Sequence, residues 1–260
     1  MTSQEAPIDS RFRVLGIPVD AVQIPDAIAR MEDWIAARQG SHYVAVTGMH
    51  GVSESRRDPE FRTILRTADL VVPDGMPLVW LGRLNGHTLR RRVYGPELML
   101  EFCRATADRR VRHYFYGGAD GVADALAATM AERFPNLVVA GTFCPPFRPL
   151  DPGEDADIVA RINDARADVL WVGLSTPKQE RWMYRHRNLL NVPVMVGVGA
   201  AFDMHTGRVK QAPVWMRENG LEWCYRLVRE PQRLWRRYLV LGSSFVCNVS
   251  LELAGLKKFE

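Results

Sequence analysis

The chain has 260 residues, 47% of them hydrophobic and 25% charged, with a formal net charge of +4. This globular composition supports one large domain, or one domain with an appendage, and excludes wholesale disorder. Charge placement says more than the total: positions 208–237 carry eight Lys/Arg against three Glu, so basicity gathers near the C-terminus. Cys103, Cys144, Cys224 and Cys247 are scattered with no CxxC pair, which argues against a zinc site of the usual spacing and against a disulfide framework. That usage fits a reducing cytosol, and the opening MTSQEAPIDSRFRV lacks the apolar core of a signal peptide.

Short β-branched runs alternate with helical stretches. RVLGIPV (13–19) predicts a strand, and the spacing of Ile24, Ala27, Ile28, Met31 and Ile35 predicts a helix over about 25–38. YVAVT (43–47) is a strand, followed by a polar helix to about 67 and the strand DLVV (69–72). Helices are expected over 76–85 and 96–107. HYFYGG (113–118) enters a glycine turn, with a helix over 120–133. NLVVAG, DVLWVGL and PVMVGVG continue the alternation, and CPPFRPLDPGED (144–155) is the longest irregular segment. Such alternation implies an α/β, Rossmann-like fold: a largely parallel sheet with helices on both faces. From about 208 the strands cease. The expected division is a catalytic core over 1–207 and a basic helical appendage over 208–260.

Ligands of such sheets collect beyond the carboxyl ends of the strands, where Thr47, Asp74, Gly117, Gly118, Gly173, Gly197 and Gly199 all fall. GGADG (117–121) can present backbone N–H groups to a phosphate, although glycines at a tight strand–helix turn are common for steric reasons alone. A dinucleotide site would want an acidic residue after the next strand, and NLVVAG runs into TFCPPF instead. In VVPDGMP (71–77), Asp74 either caps the following helix or serves as a sheltered carboxylate base. Thr47 and His50 in VTGMHGV can orient a sugar or phosphate; a lone histidine is more often structural. One guanidinium of the run Arg90–Arg92 can reach inward. In GLSTPKQERWM (173–183), Pro177 suits a first-turn position, Glu180 suits the helix dipole, and Gln179 offers both a donor and an acceptor.

In the C-terminal EWCYRLVREPQRLWRRYLV (222–240), Arg226, Arg229, Arg233 and Arg236 would share one face of a continuous helix, but Pro231 must start a new helix or kink the old one. The plain reading is a solvated helix face; the other is a cation stripe for phosphates of a substrate or a membrane. Residues 238–256 are apolar but interrupted by Ser243, Ser244, Asn248 and Glu252, which suits a segment lying on a membrane rather than spanning it.

Taken together, PDG (73–75), RVYGPEL (92–98), YGG (116–118), GLSTPKQE (173–180), GVGAAFD (197–203), AP (212–213) and EWCYRLVREPQR (222–233) resemble the WecG/TagA/CpsF glycosyltransferases of bacterial surface polysaccharide assembly. The resemblance runs from about residue 13 to 240. It implies inverting, metal-independent transfer from a UDP-sugar to a monosaccharide on undecaprenyl diphosphate, with no cofactor, at the inner face of the cytoplasmic membrane. It implies Asp74 as general base and Thr47, Arg92 and Gln179 as residues that hold substrate; His50, Gly117, Gly118 and Asp203 are further expected substrate-binding residues. Arg226, Arg233 and Arg236 would hold diphosphate. Met49 stands where the family often has Asn, so either His50 compensates or the sugar differs.

The residues agree with this chemistry. With no clustered His/Asp in the sequence, fixed guanidiniums and helix N-termini would have to stabilise a departing diphosphate. The arginine stripe is expected to serve both the diphosphate and the anionic membrane surface; no nucleic-acid partner is expected, and a homo-oligomer is left open. A nucleotide-dependent oxidoreductase lacks its ribose carboxylate. A non-catalytic polyanion-binding module leaves the strand-end motifs without a purpose.

Overall fold

A computed structural model describes residues 10–259, without the side chains of Arg233 and Arg237. The first expected strand is a hairpin: β1 (Arg11–Val14) pairs antiparallel with β2 (Ile17–Asp20). Leu15 (φ 50°) and Gly16 (φ 83°) occupy its two-residue turn, and two left-handed central residues are what a tight hairpin with native twist requires. Helix α1 (Ile24–Ala37) buries Ala27 and Met31 at the expected spacing, and β3 (His42–Thr47) follows.

The single polar helix expected before residue 67 is two helices, α2 (Met49–Ser55) and α3 (Pro59–Arg66). The break lies at Asp58-Pro59, where the Asp58 carboxylate accepts the Phe61 N–H at 2.9 Å and Pro59 takes the first turn. Strand β4 (Leu70–Pro73), helix α4 (Met76–Leu84) and helix α5 (Gly95–Thr106) come next. Then follow β5 (Arg112–Gly117), α6 (Val122–Arg133), β6 (Val138–Phe143), α7 (Pro152–Asp164), β7 (Val169–Gly173), α8 (Lys178–His186), β8 (Val194–Gly197) and α9 (Ala201–His205). Helix α7 begins on a capping box: Asp151 accepts from Glu154 N, and Glu154 accepts from Asp151 N.

The tail is helical: α10 (Val214–Glu218), α11 (Glu222–Arg229), α12 (Pro231–Trp235), a π-turn (Arg236–Val240) and α13 (Leu241–Leu253). Pro231 starts a new helix, because it has no N–H to donate back to α11 and tolerates the first turn of α12.

Six strands form one sheet in the order β4-β3-β8-β7-β5-β6, with parallel β3–β8, β8–β7, β7–β5 and β5–β6 ladders. The chain has the α/β, Rossmann-like architecture with additional C-terminal helices. Parallel strands flanked by helices are buried on both faces, which is why β7 reads VLWVG rather than alternating.

Chain contacts define two compact units. The first joins residues 10–23, 47–93 and 212–259. Within it, Asp20 ties the hairpin to β4, accepting from Arg11 Nε and from Val71 N, each at 2.7 Å. Helix α13 packs on α2 and buries Leu241, Phe245 and Val249, at helical spacing, and its Glu252 accepts the Leu15 N–H.

The second unit holds residues 24–46 and 94–211. Its core includes Trp171 of β7, edge-on to Phe102 of α5 with ring centroids 5.7 Å apart. The Trp171 indole N–H donates to His113 Nδ1 at 3.1 Å, and His113 Nε2 lies 3.0 Å from Thr106 Oγ1. Burial holds the His113 pKa down to about 3, so the ring is neutral. With Nδ1 accepting from Trp171, the network assigns the proton to Nε2, which donates to Thr106; the Thr106 hydroxyl in turn donates to Phe102 O at 2.6 Å.

Candidate active site

In the first unit, Asp74 occupies the turn between β4 and α4. Its N–H donates to Thr47 O at 2.8 Å. Gly75, at φ 125°, takes the N-cap position of α4 without a side-chain cap, so Asp74 does not cap that helix. The ends of β3 and β4 approach so closely that a Cβ on Gly48 would lie 2.3 Å from Asp74 O. That contact dictates glycine after Thr47.

Arg92 comes to the same turn along an irregular segment, pinned by Val93 N donating to Pro73 O at 2.9 Å. One guanidinium nitrogen stands 3.6 Å from Asp74 Oδ1, and the other donates to Glu222 Oε2 of α11. The Arg92 and Glu222 side chains are only 14% and 9% exposed, whereas Asp74 keeps 31%. Removing one partner of a buried pair of this kind costs about 3–5 kcal/mol because the other charge is left uncompensated. Next to this pair, Arg91 meets Glu218 of α10 at 3.1 Å, a more exposed contact of little energetic weight.

Thr47 is 1% exposed, and its Oγ1 finds no hydrogen-bond partner among the described residues. His50 is half-buried on α2. Arg226 lies in the last turn of α11, and its buried Nε has no hydrogen-bond partner among the described residues. Arg236 is exposed in the π-turn, with its guanidinium 5.3 Å from the Trp235 ring centroid. The Arg233 side chain lies outside the described residues. The segment is not one continuous helix: it breaks at Glu230, with φ −136° and ψ 58°.

In the second unit, Gly117 and Gly118 have φ of 130° and 79°. Their first service is steric and internal: a Cβ on Gly117 would sit 2.6 Å from Gly173 O, and the Gly118 N–H donates to that oxygen at 3.1 Å. Gln179 is 2% exposed and braces α8 against the turn after β8. Its Oε1 accepts the Gly199 N–H at 2.9 Å, and its Nε2 donates to Glu180 at 3.1 Å. One amide N–H and one lone pair of Gln179 remain beyond these bonds. A Cβ on Gly197 would come within 2.8 Å of that Nε2, so glycine at this strand end makes room for the brace.

Pro177 occupies the N-cap position of α8 rather than its first helical position. Glu180 is fully buried in that first turn and accepts from Thr176 Oγ1 at 2.7 Å. Asp203 is half-buried in the first turn of α9. No carboxylate follows β6, which ends at Phe143 and continues with Cys144 and two prolines.

Sequence reasoning did not single out Glu222. Its signal was faint: Glu218 and Glu222, four apart, are two of only three acidic residues in a segment otherwise rich in Arg and Lys.

A parallel α/β sheet whose strand ends carry an aspartate turn in one unit and glycine turns in the other is a class of fold that binds ligands at its strand ends and does not by itself specify a reaction. The profile of the Glycosyl transferase WecG/TagA/CpsF family matches residues 12–258. The chain belongs to that family and is a glycosyltransferase. It is 31% identical over 186 residues to an N-acetylglucosaminyldiphosphoundecaprenol N-acetyl-β-D-mannosaminyltransferase of Bacillus subtilis (strain 168), covering 70% of this chain and 69% of the relative. A protein of the same name from Bacillus spizizenii is 31% identical over 204 residues, covering 78% and 77%. Another from Staphylococcus aureus (strain MW2) is 26% identical over 237 residues, 91% of each chain.

Proposed function

We propose that this chain transfers an N-acetylhexosaminyl group from a UDP-sugar to a monosaccharide carried on undecaprenyl diphosphate, with inversion and without a metal ion. The observation that supports this reading most is the Asp74 turn: a partly exposed carboxylate, not engaged as a cap, beside a guanidinium. It occurs in a chain whose relatives are named for transfer onto N-acetylglucosaminyldiphosphoundecaprenol. The acceptor hydroxyl oxygen attacks the anomeric carbon, the bond from that carbon to the UDP oxygen breaks, and Asp74 takes the hydroxyl proton. Thr47, His50 and Arg92 orient the sugars, and Gly117, Gly118, Gln179 and Asp203 serve the donor. Arg226, Arg233 and Arg236 stabilise the negative charge on the departing diphosphate, the task a divalent cation would otherwise perform.

The helices from residue 208 onward cover the acceptor side of the reaction and rest on the anionic cytoplasmic leaflet. Glu222 of α11 reaches Arg92 within the first unit, which supports the covering role. No helix among the described residues is long and apolar enough to cross a membrane. A panel of radiolabelled UDP-N-acetylhexosamines presented with prenyl-diphosphate-linked N-acetylglucosamine tests the reaction. Asp74→Asn is expected to lower turnover about 100-fold or more while UDP binding survives. Near-normal turnover would remove the base assignment.

A further inference from the structure

In α11 the buried residue is a carboxylate, Glu222, and α10 buries nothing. Met216, Cys224, Tyr225 and Leu227 of these helices are half-buried, whereas Glu222 enters the interior, where a guanidinium receives it. That guanidinium belongs to Arg92, whose main chain is already fixed beside Asp74 by the bond from Val93 N to Pro73 O. Arg92 thus faces two carboxylates, Asp74 and Glu222. Glu222 holds the hydrogen bond, while the contact with Asp74 is 3.6 Å, beyond hydrogen-bond length.

We infer that Glu222 is a positioning residue for sugar transfer, acting through Arg92 on Asp74. The inference rests on the reading of Asp74 as base. An arginine bonded directly to a carboxylate favours its ionised form and occupies its acceptor oxygens, both of which oppose proton uptake. Glu222 draws the guanidinium off Asp74 and keeps it near enough to face an anionic ligand. Because Glu222 sits on α11, docking of the C-terminal helices is coupled to the readiness of the base. A substrate carrying a polyprenyl diphosphate would meet a working carboxylate only with those helices in place.

The test uses the full-length chain in the transfer assay, with Glu222→Gln, Arg92→Gln and the double variant forming a cycle. Glu222→Gln is expected to lower kcat about tenfold while the KM for UDP-sugar moves less than about threefold. In the Arg92→Gln background the same replacement should cost nothing further, since its effect passes through that guanidinium. An unchanged kcat for Glu222→Gln, or losses that multiply in the double variant, would overturn the inference. Should Glu222→Gln not fold, Glu222→Asp takes its place in the cycle. A carboxylate one methylene shorter holds Arg92 less well, and its loss of about threefold must likewise vanish in the Arg92→Gln background. Asp74→Asn in parallel separates the two readings. Retained turnover there defeats the base assignment itself, whereas a dead Asp74→Asn beside an unaffected Glu222 variant defeats only the positioning role.

Discussion

At the scale of single residues, buried polar groups are placed by the partners that make their burial tolerable. His113 is fully buried, accepts from Trp171 and is held neutral by desolvation, with its pKa lowered to about 3. In the unfolded chain the ring takes a proton near pH 6.5, so between the two values the unfolded state binds more protons than the folded one. Stability from this residue is therefore complete above about pH 6.5 and declines as pH falls toward 3, by roughly 2 kcal/mol at pH 5. Urea denaturation of the wild type and of His113→Gln should show it: the advantage of the wild type over the variant shrinks from pH 7.5 to pH 5. An advantage independent of pH would contradict a neutral buried imidazole. The glycines illustrate the same scale differently. Gly48 and Gly117 stand where another backbone passes too close for a Cβ, whatever else their N–H groups do.

Among the elements, the C-terminal helices divide their apolar side chains between the interior and the surface. Leu241, Phe245 and Val249 of α13 are buried, whereas Val246 and Leu253 of the same helix are more than 60% exposed. Trp215, Val228, Trp235, Leu239 and Val240 are also exposed, in the same stretch as the exposed cations Arg229 and Arg236. Exposed tryptophan and leucine interleaved with arginine suit the headgroup region of an anionic bilayer, where each cation contributes about 1 kcal/mol. Co-sedimentation with vesicles containing phosphatidylglycerol should exceed that with neutral vesicles and weaken with salt. The double variant Arg229→Glu/Arg236→Glu should reduce it about 30-fold or more. Equal binding to neutral and anionic vesicles would leave these arginines no membrane role.

For the whole molecule the question is what neutralises the departing diphosphate. In the proposed reaction that task falls to the guanidiniums of Arg226, Arg233 and Arg236, and charge-assisted bonds from arginine to phosphate are among the stronger polar contacts available. Transfer activity is accordingly expected to survive excess EDTA with little change in rate. A strict requirement for Mg²⁺ in the transfer assay would show that guanidiniums alone are insufficient, and would reopen the reading of the reaction.

Much of the architecture follows from local pattern alone. Buried parallel strands read as continuous apolar runs because helices cover both faces, and the helix–strand alternation, the fresh start at Pro231 and the aspartate and glycine turns are all written in short stretches. Two local misreadings came from turn chemistry: Leu15-Gly16 folds a hairpin where one strand was expected, and Asp58-Pro59 splits a helix. Contacts between distant segments had no such signature. That Gln179 spends part of its amide bracing Gly199, and that Glu222 claims Arg92 across 130 positions, depends on which buried charges and amides find one another once the chain is compact. Periodicity reports which face of an element is apolar; desolvation, acting only in the folded chain, decides the partner of each buried polar group.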